Sequence, residues 1–106
     1  MIASSLIVKT SAVDDIRNIA DYIAFDSPTS ADRFRVELKA AVERIRSFPE
    51  TGHKARSPHE KYRATRVSSR FRRYLIFYRV AEDMSVAVVR VLHSAMDIQA
   101  ELAKSD

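Results

Sequence analysis

Phe71-Arg72-Arg73-Tyr74-Leu75-Ile76-Phe77-Tyr78-Arg79-Val80, followed by Val86-Ala87-Val88-Val89-Arg90-Val91-Leu92-His93, is the stretch whose reading decides the fold. Both runs are rich in β-branched and aromatic side chains, and the polar Glu82-Asp83 between them marks a turn, so together they predict a β-hairpin. Arginine recurs at Arg73, Arg79 and Arg90, where a purely structural strand is served as well by threonine or valine. With a two- or four-residue loop, Arg79 faces Val86, Phe77 faces Val88, Leu75 faces Arg90 and Arg73 faces Leu92, whereas an odd loop breaks this pairing. On that register one face carries Tyr74, Ile76, Tyr78, Val80, Ala87, Val89, Val91 and His93, has no formal charge, and is expected to pack on helices. The other face sets all three arginines among Leu75, Phe77 and Leu92. An exposed apolar floor fenced by guanidinium groups suits an amphipathic partner segment carrying acids, or stacked bases with phosphates.

Working outward, Leu6 to Lys9 reads as a short strand, and either Thr10 or Ser11 can cap the helix that follows, with Asp14 at its third position when Ser11 is the cap. Val13, Ile16, Ile19, Ala20 and Ile23 repeat at helical spacing. Asp26-Ser27-Pro28 ends that helix and starts the next, because Ser27 caps and Pro28 suits a first turn where its missing N–H costs nothing. The second stripe is Ala31, Phe34, Leu38, Ala41, Val42 and Ile45, and it stops at Phe48-Pro49. Two apolar stripes joined by so short a connector imply an antiparallel helical hairpin laid on the sheet. Glu50 to Glu60 reads as loop, Tyr62 to Val67 as a strand, and Met96 to Lys104 as a short terminal helix. The expected order is therefore β-αα-βββ(α): an α+β fold with an N-terminal strand and a helical hairpin on a small antiparallel sheet.

A chain of 106 residues with 46% hydrophobic and 30% charged residues is expected to form one domain over residues 1–106. The absence of cysteine excludes a disulfide framework, a thiolate nucleophile and a cysteine metal site, and fits a reducing compartment. The N-terminal Met1 to Val8 has no basic flank and is too short to span a bilayer, so a soluble, cytoplasmic protein is expected. Charge is segregated: from Gly52 to Arg79 nine basic residues meet one acid, making that segment +8 in a chain of +4 and the remainder −4. A basic half implies an acidic partner, nucleic acid or protein, and the plainer alternative is a solvated surface with no dedicated ligand.

Ala12, Asp15-Ile16, Ile19 and Asp21-Tyr22-Ile23, then Ala31, Arg33-Phe34 and Leu38, then Phe48-Pro49-Glu50-Thr51-Gly52, and finally Arg73 to Val80 and Arg90-Val91-Leu92-His93 form an ordered set of motifs. In that order and spacing the chain resembles the RelE/ParE superfamily of toxins from type II toxin–antitoxin (plasmid-stabilisation) systems, in its ParE-like branch, over nearly its whole length. The resemblance implies a toxin held inactive by a small acidic antitoxin, usually encoded beside it. ParE-like members are similar in poisoning DNA gyrase; RelE-like members are ribosome-dependent mRNA endonucleases. The chain departs from the ParE-like pattern at Ser94 and Met96, where the family commonly shows glycine and arginine. The tail beyond His93 contains no Tyr, His or Arg from which a nuclease would assemble its terminal acid.

The leading expectation is accordingly a non-enzymatic gyrase inhibitor neutralised by its antitoxin. The alternatives are a RelE-type mRNA endonuclease acting with the ribosome, in which Arg73 and Arg90 stabilise phosphate, and a basic nucleic-acid-binding module. Partner contact is assigned to Arg73, Leu75, Phe77, Arg79, Arg90 and Leu92. His93 is read as a core histidine, Tyr74 and Tyr78 as core or rim residues whose hydroxyls reach water, and Tyr22 and Phe25 are left open between core and antitoxin. His53 and His59, six apart with no neighbouring cysteine, do not make a metal site. No cofactor is expected.

Overall fold

The computed structural model describes residues 2–105. The elements are β1 (Ser5–Val8), α1 (Thr10–Asp26), α2 (Pro28–Ser47), β2 (His53–Lys54), β3 (Arg63–Arg66), β4 (Tyr74–Val80), β5 (Ser85–His93) and α3 (Ile98–Ala103). This is the expected α+β order, with the two-residue β2 added inside the segment expected to be loop. The five strands lie in the order β1-β5-β4-β3-β2. All pairings are antiparallel except β1 with β5, which run parallel, so the sheet is mixed and the chain crosses from one edge through the helical hairpin before building the rest.

Ser27 works as the sequence predicts. It closes α1 with its backbone N–H on Ile23 and opens α2 by accepting the Ser30 N–H on its hydroxyl, while Pro28 occupies the first turn. Neither Thr10 nor Ser11 caps α1. The helix starts at Thr10 with Lys9 as a cap that makes no side-chain bond, and the Ser11 hydroxyl donates to the Val89 carbonyl at 2.7 Å instead. The reason lies in β5. Tyr78 pairs with Val88 and Phe77 with Arg90, so Val89 is the extra residue of a β-bulge, and a bulge leaves backbone groups outside the ladder.

The hairpin register differs from the even-loop expectation. Five residues, Ala81 to Ser85, join Val80 to Val86, closed by Ala81 and Ser85 in a backbone bond and by Met84 in the left-handed region at φ 67°. Arg79 consequently faces Ala87, and Val86 and Val88 turn toward the helices while Ala87 and Val89 turn away. The bulge then resets the alternation, so Val91 returns to the helix face and Leu92 to the opposite one, as expected.

Phe34, Leu38, Ala41 and Ile45 of α2 pack with Ala12 of α1 on Ile76, Tyr78, Val86, Val88 and Val91. Phe34 anchors this core, meeting Phe71 and Tyr74 edge-on at centroid distances of 5.3 and 5.4 Å. A second core lies on the far face of the sheet, where Tyr62, Phe77, Val89, Leu92 and Leu102 are buried together. The Tyr78 hydroxyl does not reach water: the ring is fully buried, and its oxygen accepts the Gly52 N–H at 2.9 Å. Burial pushes that phenol up from its ordinary pKa, with the Gly52 bond opposing.

Candidate partner-binding surface

The six residues assigned to partner contact do not form one surface. Phe77 and Leu92 are 3% and 1% exposed, and Leu75 is half-buried, because α3 and Tyr62 cover that part of the far face. The exposed apolar floor expected from strand alternation is therefore filled from within the chain. Leu102 and Ile98 supply the cover, and Asp97 starts the helix by accepting the Ala100 N–H. The pair Ile98 and Leu102, spaced by four behind a capping aspartate, is the sequence signal that identifies this apolar face.

Arg90 is enclosed rather than presented. Its side chain is 12% exposed and forks onto both oxygens of Asp15 at 2.7 and 3.0 Å, one of which also accepts the Val91 N–H at 2.9 Å. It also donates to the Glu101 carboxylate at 3.1 Å, to the Glu101 carbonyl at 3.0 Å and to the Ser105 hydroxyl at 3.2 Å. One guanidinium thus joins α1, β5 and α3. The bidentate Asp15 bond is the largest cause raising the Arg90 pKa above its ordinary value. Glu101 is held below the usual carboxylate range, first by Lys104 at 3.1 Å and then by Arg90. Sequence reasoning missed Asp15 and Glu101. Ser11 and Asp15 share a helical face at a spacing of four, and polar residues there, beside an apolar stripe, mark a helix that hydrogen-bonds to the sheet it covers.

Arg73 and Arg79 are exposed at different places. Arg73 precedes β4, its carbonyl accepting the Ser94 N–H at 2.7 Å, whereas Arg79 stands on the far face at the opposite end of β4. His93 is half-buried, edge-on to Tyr74 at 5.0 Å, and its Nδ1 accepts the Ala95 N–H. Together with Asn18, Ile19, Tyr22 and Met96 these rings line a hollow of about 470 Å³. Burial, then the neighbouring Tyr22, pushes the Tyr74 phenol up. Tyr22 and Phe25 are 75% and 92% exposed, so neither belongs to the core. Among the described residues no three His, Cys, Asp or Glu side chains gather to hold a metal ion.

Comparison with known proteins bears on what this geometry does. A family model described as the ParE toxin of type II toxin–antitoxin systems, parDE, matches residues 6–98. Toxin RelE2 of Caulobacter vibrioides is 33% identical over 84 residues, covering 79% of this chain and 88% of that protein.

Proposed function

This chain belongs to the ParE toxin family of type II toxin–antitoxin systems, and we propose that it acts without catalysis, by binding DNA gyrase, in a plasmid-stabilisation role. Membership of a toxin–antitoxin family implies an antitoxin partner, and in this reading that partner neutralises the toxin by covering the far face of its sheet. The observation that carries the reading is the state of Arg90. A phosphate-stabilising arginine needs donors aimed at open space, and the Arg90 donors are directed to Asp15, Glu101 and Ser105 inside the fold. Purified toxin is expected to inhibit supercoiling by gyrase or to trap cleaved DNA. A null result at micromolar toxin beside an active control removes the proposal.

A second reading is favoured by two observations: the relative named RelE2, and an exposed Arg73 in a chain whose His93 lies at the Tyr74 hollow with its Nδ1 accepting the Ala95 N–H. It predicts mRNA cuts only when ribosomes are present, with loss of cutting in Arg73→Ala and His93→Ala. Either target places the action in the cytoplasm. Among the described residues no helix is long and apolar enough to cross a membrane.

A further inference from the structure

β1 ends its pairing with β5 at Val88, so the last part of β5 has no strand on that side, and α1 runs along the open edge in its place. The Ser11 hydroxyl bonds the Val89 carbonyl, and the Asp15 carboxylate accepts the Val91 N–H. One and two turns further on, Asn18 and Tyr22 continue that side of the helix. They form one wall of the 470 Å³ hollow whose other wall is Tyr74, His93 and Met96. No lysine or arginine lines it, and the lining carboxylate, Asp15, is already held by Arg90. The end of α1 beside this hollow is acidic. Asp21 lies one turn before Phe25 and Asp26 one turn after Tyr22, so two carboxylates flank the two exposed rings. Both aspartates are exposed, and among the described residues neither has an ion pair; Arg17, the one cation of α1, meets Asp14 at 3.7 Å instead. No basic residue stands in the last turn, where the helix dipole is also negative.

Resting on the gyrase reading above, we propose that the acidic end of α1 and this aromatic hollow form the surface that meets gyrase, the hollow receiving an arginine side chain of the enzyme. The guanidinium stacks on the Tyr22 and Tyr74 rings and donates to the Asn18 amide oxygen, while Asp21 and Asp26 attract basic groups around it. An enzyme that holds DNA presents arginines and lysines to the phosphates, so it offers this chemistry. Charge decides against other occupants. An acidic segment, or the phosphates of a nucleic acid, meets two carboxylates without ion pairs and finds no lysine or arginine in the hollow. A second copy can offer its basic Gly52 to Arg79 side, but such a head-to-tail contact leaves both ends open and does not close into a defined pair. The +8 segment and the acidic end of α1 thus serve different partners.

The full-length toxin is titrated against gyrase holoenzyme, in a direct binding measurement and in a supercoiling assay, and separately against the antitoxin encoded beside its gene. Tyr22→Ala and Asp21→Lys, both on exposed side chains, are each expected to weaken gyrase binding and inhibition by about tenfold, with circular dichroism, Tm and antitoxin affinity unchanged. Tyr22→Phe is expected to keep the parent's affinity for gyrase, because the ring face and not the hydroxyl carries the contact. A parent that neither binds nor inhibits gyrase removes the gyrase reading itself. A parent that inhibits gyrase while Tyr22→Ala and Asp21→Lys inhibit equally well leaves that reading in place and overturns the surface. Equal loss of gyrase and antitoxin affinity in both variants, a parent dimer dissolved by Tyr22→Ala, or a single-stranded oligonucleotide bound by the parent and lost in Tyr22→Ala each overturns the assignment to gyrase.

Discussion

Arg90 shows how one side chain holds distant parts of the sequence together. Asp15 lies 75 positions before it and Glu101 lies 11 after, and both carboxylates are largely shielded from water. Arg90→Ala is expected to cost about 3 kcal/mol, because it leaves Asp15 charged and partly buried without its partner. Arg90→Lys is expected to recover little, since an ammonium cannot fork onto both Asp15 oxygens. The cycle with Asp15→Ala checks this: the double variant should be less destabilised than the two singles added together, as measured by denaturant unfolding. Gly52 makes the complementary case, where the absence of a side chain matters. A Cβ there would stand 2.5 Å from the Tyr78 hydroxyl and 3.0 Å from the Ala64 carbonyl. Tyr78 is fully buried and has little room to withdraw. Gly52→Ala is therefore expected to lose about 1–3 kcal/mol, read as a Tm lowered by about 5–15 °C.

At the scale of elements, α3 is six residues long and too short to be stable alone, so its place on the sheet depends on Leu102 below and Glu101 above. Leu102→Ala is expected to cost about 2–4 kcal/mol and to expose the Phe77 and Leu92 side chains, detectable as increased binding of a hydrophobic dye. Acid should loosen the same helix by another route. The Glu101 carboxyl is held below its ordinary pKa, so the stability it contributes is fully present above the unfolded-state value and is lost as pH falls through the lowered one. Amide protection in residues 98–103, taken relative to the intrinsic exchange rate at each pH, is expected to fall in that acidic window, and Glu101→Gln should remove this loss of protection. Exchange that is unchanged by the substitution would show that Lys104 and Arg90 do not tether the helix through this carboxylate.

For the whole molecule, the basic segment and the two-sided sheet have to be taken together. Because Phe77 is buried beneath α3, Phe77→Asp is expected to unfold or unseat α3, placing a charge in a closed core rather than at an interface. It is thus a stability probe, and loss of antitoxin binding in that variant would accompany a lowered Tm. Arg73→Ala tests the target instead. On the gyrase reading it leaves mRNA intact with or without ribosomes, whereas on the nuclease reading the parent cuts translated mRNA and the variant does not.

The sequence by itself determined the element order, the helical stripes, the Ser27-Pro28 junction and the alternation within β4, since each follows from local chemistry: side-chain periodicity, capping and the missing proline donor. It also carried the family, through ordered motifs spread along the chain. Only the tertiary structure decided the rest. The five-residue turn and the Val89 bulge set which β5 residues face the helices, and a shift of one residue reverses a strand's faces without altering its composition. The parallel docking of β1, the enclosure of Arg90 and the covering of Phe77 and Leu92 by α3 depend on contacts between segments far apart in the chain or on opposite sides of a turn. Composition and spacing showed that arginines and apolar side chains alternate along the hairpin, but whether such a face meets water, a partner or the chain's own C-terminal helix is fixed by packing, which no local pattern records.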